Sequence, residues 1–104
     1  GIWMLEEKSG GRCVGRAGFH MREGFAYPEL GFIVAQEEQR KGYCVDACSA
    51  LLEFGYRELE FEGVQALVAE GNRASEEVCR RLGGTPAEKI CWKGKKCLRF
   101  VWEA

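Results

Sequence analysis

No charge of either sign predominates in this chain: 15 Lys+Arg face 16 Asp+Glu in 104 residues, a formal charge of −1. That balance removes the bulk electrostatic case for a nucleic-acid-binding or membrane-surface protein. No apolar run approaches the roughly 18 residues of a membrane span. Residues 1–11 show no basic segment followed by an apolar one, so no leader is read there and a cytoplasmic protein is expected. Histidine is limited to His20, and the six cysteines (Cys13, Cys44, Cys48, Cys79, Cys91 and Cys97) contain no C-x2-C pair. Such spacing suits structural zinc poorly, and no metal is expected. A disulfide knot is disfavoured as well, because the chain carries long periodic apolar stretches of its own. The thiols are therefore expected to be reduced and mostly buried. Internal repeats, low-complexity tracts and linkers are also missing.

What the chain does have is apolar material, 46% hydrophobic and 12% aromatic residues. A single domain of this size hides about two-thirds of the surface its unfolded chain exposes. Residues 2–6 read as a strand, Ser9-Gly10-Gly11 as a turn, and 12–20 as a second strand with Cys13, Gly15, Ala17 and Phe19 on its smoother face. After a loop through Glu23-Gly24 and Tyr27-Pro28, residues 30–35 form an apolar run that reads as the central strand. The period then changes. Cys44, Cys48, Leu51 and Gly55, flanked by Val45, Leu52, Tyr56 and Leu59, recur at helical spacing, with Asp46, Glu53, Arg57 and Glu58 opposite. A helix over 42–59 packed on a sheet follows, with Gly63 read as its terminator. Residues 64–69 read as a buried strand, and 72–82 as a helix opened by Asn72 and ended at Gly83-Gly84. A last hairpin has arms over 89–92 and 96–102, turning at Lys93-Gly94-Lys95. The expected fold is α/β, of α+β type, with order β-β-β-α-β-α-β-β and a mixed, mostly antiparallel sheet.

The segment Gln39-Arg40-Lys41-Gly42-Tyr43-Cys44 joins the central strand to the long helix. Strand, tight turn and helix start make an anion-binding geometry, because the first helical N–H groups have no intrahelical partner and carry the positive end of the dipole. Gly42 permits close approach of a phosphate, and Arg40 and Lys41 add charge beside it. The alternative for this turn alone is an ordinary helix start with solvated basic residues.

The run Glu29-Leu30-Gly31-Phe32-Ile33-Val34, followed by Gln39-Arg40-Lys41-Gly42-Tyr43-Cys44, resembles the acetyl-coenzyme A motif of GNAT N-acetyltransferases, in particular the branch that acetylates ribosomal-protein N-termini. Gln39, Gly42 and Cys44 fall on the positions of Q/R-x-x-G-x-G/A, and Asn72-Arg73-Ala74-Ser75 followed by Leu82-Gly83 resembles that branch's N-x-x-S and L-G-F block. Cys44 stands where Gly or Ala is usual, and Gly84 where an aromatic residue is usual. The resemblance implies a GNAT-like fold over 1–104 that takes acetyl-CoA as co-substrate and transfers its acetyl group to a primary amine, a protein N-terminus or a small amine. It implies that Gln39 to Cys44 cradle the diphosphate, that backbone groups of Ile33 and Val34 meet the pantetheine arm and thioester, that Asn72 touches the same arm, and that Ser75 stands near the leaving thiolate. Asn72 as a helix cap and Ser75 as an ordinary first-turn serine are the structural alternatives. Cys79 occupies a position where other branches place a tyrosine acid, and burial is expected to keep it an inert thiol. Glu29 and Glu70, at strand ends, are the candidates for the general base, and solvated strand-end carboxylates are their alternative.

Relatives in this family usually carry a strand and two helices before the first hairpin, so the chain is expected to be N-terminally truncated or completed by a partner. A homodimer is expected through edge strands at 2–6 or 96–102, where Ile2, Trp3, Leu5, Phe100 and Trp102 would otherwise be exposed. The competing function is an acyl-CoA-binding or interaction module without catalysis. Nucleic-acid binding through Lys89, Lys93, Lys95, Lys96 and Arg99 is not expected, since these alternate with strand residues in a slightly acidic chain.

Overall fold

A computed structural model describes residues 2–6, 13–21, 23–34 and 42–103, with the backbone alone at 2–6, 13, 14, 34 and 43. Two-residue alternation and helical spacing resolve into eight elements in the expected order. They are β1 (Ile2–Glu6), β2 (Cys13–His20), β3 (Glu29–Val34), α1 (Tyr43–Arg57), β4 (Gly63–Ala69), α2 (Arg73–Arg81), β5 (Thr85–Trp92) and β6 (Lys95–Glu103). The strands form one six-stranded sheet in the order β1-β2-β3-β4-β6-β5. Among the described strands only the β3–β4 pair is parallel, as its crossover through α1 requires.

One face of the sheet carries both helices. Ala17 and Phe19 of β2, Leu30 of β3, Val64, Ala66 and Val68 of β4, and Phe100 and Trp102 of β6 meet Cys44, Cys48, Leu51 and Leu52 of α1 and Cys79 of α2. Each large side chain in this layer contributes about 1.5–3 kcal/mol by leaving water. The wet side of α1 is the predicted one, with Asp46, Glu53, Arg57 and Glu58 exposed. The opposite face is crossed by the loop between β2 and β3. Tyr27 lies on Gly63, and Phe25 meets Trp92 edge-on at 5.3 Å between ring centroids.

Three boundaries and one edge assignment differ from the sequence reading. Helix α1 stops at Arg57, leaving Leu59 outside it and 44% exposed. Gly63 does not end that helix, because Glu58 caps it and Glu60 makes the turn at φ 56°. Gly63 instead opens β4, where a hydrogen is all that fits beneath the Tyr27 ring. The hairpin arm β5 reaches back to Thr85, past a register irregularity between Pro86 and Lys89. Finally, the 96–102 strand is not an edge. It lies between β4 and β5, Phe100 and Trp102 are buried in the core, and the Trp102 indole N–H donates to the Leu82 carbonyl at 3.1 Å. The sheet's edges are β1 and β5.

Candidate active site

The parallel pair at the centre of the sheet is barely a pair. Its ladder holds at Glu29↔Gln65, where the Gln65 N–H donates to the Pro28 carbonyl at 2.9 Å, and no further register between β3 and β4 follows. On its other side β3 is matched to β2 along its whole length, from His20↔Glu29 to Gly15↔Val34. Backbone groups alternate sides along a strand. Since the Pro28 carbonyl faces β4, the backbone groups of Leu30, Phe32 and Val34 also face β4, and those of Glu29, Gly31 and Ile33 face β2. Polar backbone without a ladder partner is costly unless something else satisfies it. The strands therefore part with a row of peptide groups open between them. Ile33, expected to present its backbone there together with Val34, is matched to Arg16 of β2, and the residues whose peptide groups face the opening are Phe32 and Val34.

Both helices start at this opening. Gly42 caps α1 at φ +80°, with no side-chain cap and, among the described residues, nothing within 4 Å of where its Cβ would be. The first helical hydrogen bond runs from Asp46 N–H to the Gly42 carbonyl at 3.0 Å, so the amides of the preceding residues have no intrahelical acceptor. At α2 the Asn72 carboxamide oxygen accepts the Ser75 N–H at 3.2 Å, which establishes the capping role of Asn72. A cleft of about 740 Å³ lies between the two starts. Phe32 and Ile33 of β3, Gly42, Cys44 and Val45 at the start of α1, and Asn72, Ser75 and Val78 of α2 line it.

Five of the predicted site residues thus meet: Ile33, Gly42, Cys44, Asn72 and Ser75. Gln39, Arg40 and Lys41 lie outside the described residues, and Tyr43 and Val34 contribute described backbone only. Glu29 is not among the cleft-lining residues; it sits at the apex where β3 and β4 are still joined. The alternative for Glu29, a solvated strand-end carboxylate, does not fit its burial at 8% exposure, whereas Glu70 is exposed.

The sequence reading missed the polar side of α2. Arg73, Glu77 and Arg81 line the cleft together. Their spacing of four was a legible signal, since residues at i, i+4 and i+8 share a helix face. A second polar set lies beside Glu29 on the helix-free face. Gln65, fully buried, donates to the Tyr27 carbonyl at 3.2 Å and accepts from Arg99 Nε at 2.6 Å, and Arg99 also pairs with Glu88 at 3.0 Å. Arg99 is therefore engaged within the sheet and is not part of an open basic patch.

The thiols of the two helices share one core cluster. A hydrogen bond from Cys48 holds Cys44 below its ordinary pKa against the opposing effect of burial, and the same bond together with burial drives Cys48 upward. Burial first, then the charges of Cys44 and Glu76, push Cys79 up to about 12, which keeps it a thiol as expected.

The Acetyltransferase (GNAT) domain family model matches residues 1–85. Among curated proteins, Bacillus subtilis YkkB, itself uncharacterised, is 31% identical over 84 residues, which are 79% of this chain and 49% of that protein. B. subtilis YdaF, named as a ribosomal N-acetyltransferase, is 36% identical over 55 residues, 53% of this chain and 30% of its own. Among solved structures, a Bordetella pertussis protein named as a GNAT-family acetyltransferase superposes with TM-score 0.84 at 30% identity, over 97% of this chain and 64% of that one. An Agrobacterium tumefaciens acetyltransferase gives TM-score 0.89 at 25% identity over 100% of this chain and 61% of that one. The chain spans about half or less of the curated relatives' length and under two thirds of these structures. With a splayed β3–β4 pair opening onto the start of α1 and a family model matched across residues 1–85, the chain belongs to the GNAT acetyltransferase domain family.

Proposed function

We propose that the cleft between β3 and α2 binds acetyl-CoA and that the protein containing this domain transfers the acetyl group to a primary amine. The observation that carries this reading is the parting of β3 from β4 after Glu29↔Gln65, which leaves peptide groups in need of a partner beside two helix starts. A pantetheine arm, itself a chain of amides, satisfies such a row in the manner of an added strand. The unpaired amides at the start of α1 suit the diphosphate, with Arg40 and Lys41 supplying charge and Gln39, Tyr43 and Cys44 completing the turn. Arg73 and Arg81 bring further positive charge to the same cleft.

In the proposed reaction a neutral amine attacks the thioester carbonyl, and the amides of Phe32 and Val34 stabilise the oxygen as it gains charge. Ser75 assists the leaving thiolate, and Glu29 at the apex accepts the amine proton, directly or through water. A homodimer and a cytoplasmic setting belong to the same proposal. Among the described residues, no helix is long and apolar enough to cross a membrane.

Calorimetric titration with acetyl-CoA, on the domain and on Gly42→Glu, tests the binding site. The substitution places a carboxylate at the anion turn and an L side chain at φ +80°. Affinity is expected to fall about tenfold or more. Saturable binding unchanged by Gly42→Glu overturns the assignment of the diphosphate. Turnover is read separately, as thiol release over a panel of amines, with Ser75→Ala expected to slow it. Binding with no release on any amine favours the non-catalytic module.

A further inference from the structure

The two helix starts that flank the cleft are not equivalent as anion sites. At α1 the cap is a glycine without a side chain to offer, and the amides before Asp46 have no intrahelical acceptor. At α2 the start is closed from within. The Asn72 carboxamide oxygen accepts the Ser75 N–H at 3.2 Å, the Asn72 carbonyl accepts the Glu76 N–H at 3.1 Å, and the Arg73 N–H donates to the Gly71 carbonyl at 2.9 Å. What α2 presents to an anion is therefore a side chain. Arg73, exposed and lining the cleft, is the first residue of the helix. A cation there opposes the helix dipole, whereas Arg80 and Arg81 in the last turn complement it. Arg80 is also engaged, 3.0 Å from Glu76 and 5.4 Å from the Phe100 ring centroid, while Arg73 has no ion pair among the described residues. A guanidinium set against the dipole and unpaired on the wall of a cleft is suited to a phosphate, which it can grip with two parallel N–H groups.

The direction of α2 decides which phosphate. Strands β3 and β4 are joined at Glu29↔Gln65, near their starts, and both helices begin beyond their far ends. Helix α2 then returns along β4, because the Leu82 carbonyl at its end accepts from Trp102, which is paired with Val64 at the start of β4. Arg73 therefore stands at the mouth of the cleft. Arg81, eight residues on, lies about 12 Å nearer the apex, with the carboxylate residue Glu77 between them on the same wall. With the thioester directed to the apex, the nucleotide end of acetyl-CoA lies at the mouth. That end carries two anionic groups, the diphosphate and the phosphate monoester on the ribose 3′ oxygen, and the open amides of α1 suit the first.

We propose that Arg73 holds the ribose 3′-phosphate, and that it is the residue by which this cleft distinguishes acetyl-CoA from its 3′-dephospho form. The assignment rests on the acyl-CoA reading and adds to it a specificity-determining residue. A phosphate monoester bears about −1.5 to −2 charge at pH 7, so its loss removes the partner of Arg73 and leaves the diphosphate contacts as they were.

Titrations of acetyl-CoA and of 3′-dephospho-acetyl-CoA into the wild type, Arg73→Gln and Arg81→Gln form a thermodynamic cycle. The wild type should bind acetyl-CoA about tenfold more tightly than the dephospho form at low salt, a preference that shrinks as salt is raised. Arg73→Gln should weaken acetyl-CoA by about the same factor and leave the dephospho form at its wild-type affinity, so that the preference disappears. Arg81→Gln should keep it. Arg73 is exposed, so the substitution should leave the helical signal unchanged. If Arg73→Gln weakens both forms alike, the guanidinium serves the diphosphate and the assignment is overturned. A preference lost in Arg81→Gln and kept in Arg73→Gln overturns it too, by placing the monoester toward the apex. Equal wild-type affinity for the two forms, with acetyl-CoA binding still weakened by Gly42→Glu, overturns the role of Arg73 and leaves the acyl-CoA reading standing. A wild type that binds neither form overturns that reading and this assignment together.

Discussion

A hydrogen at Gly63 determines how closely the loop before β3 lies on the sheet. A Cβ there would stand 2.6 Å from the Tyr27 ring, and the Tyr27 carbonyl is tied to the sheet by Gln65. Gly63→Ala must push that ring and its loop away, at a cost of about 1–3 kcal/mol. The expected readout is a lower urea midpoint with an unchanged m-value. Cys79 predicts a pH effect at the same scale. Its folded pKa is raised from 9.0 to about 12, so above pH 9 the unfolded thiol ionises while the folded one keeps its proton. The folded state then binds more protons, and stability falls as pH rises across that window. Urea midpoints compared between about pH 8 and about pH 10 should drop more steeply in the wild type than in Cys79→Ala. An equal drop in both removes Cys79 as a cause.

The β5–β6 turn and the helix ends show what was legible in the elements. Lys93 and Gly94 carry φ values of 51° and 78°, the positive pair of a type I′ turn, and Trp92↔Lys95 closes the hairpin around them. Lysine is a poor occupant of the first position, which favours Asn. Lys93→Asn should therefore stabilise the protein by a few tenths to about 1 kcal/mol, read as a raised melting temperature. Gly94 made this turn readable in advance, as Asn72 did the start of α2 and Gly83-Gly84 its end. Gly83 and Gly84 donate to the Arg80 and Cys79 carbonyls at 3.0 and 2.9 Å, a Schellman pair. The start of β5 was not readable, because Thr85 to Glu88 is exposed, holds a proline and shows no alternation. The burial of Glu29 was not legible for a related reason: it depends on a neighbouring strand and loop, which no local pattern reports. The cleft was legible through local signals at Gly42, Asn72 and Ser75. Which peptide groups of β3 face the opening became readable only from the register with β2 and β4.

At the scale of the molecule, the two edges of the sheet are built differently, and this decides where a second copy would add. The β5 edge carries Pro86, a register irregularity before Lys89, and exposed Lys89 and Lys93. These are features that deter strand pairing. The β1 edge has a regular register from Ile2↔Gly18 to Leu5↔Gly15. Alternation carried across the sheet from the Pro28 carbonyl turns the backbone groups of Gly15, Ala17 and Phe19 toward β1, so Trp3 and Leu5 bond inward and Ile2 and Met4 face outward. A proline at position 4 removes an outward N–H and leaves the ladder to β2 intact. If this edge joins two copies, sedimentation equilibrium should show a species heavier than 11.7 kDa. Met4→Pro should return it to monomer with the helical signal preserved, whereas Ile90→Lys on β5 should leave the assembly unchanged. Dissociation by Ile90→Lys with Met4→Pro inert would move the contact to β5, and a single monomeric mass up to about millimolar concentration would remove the homodimer altogether.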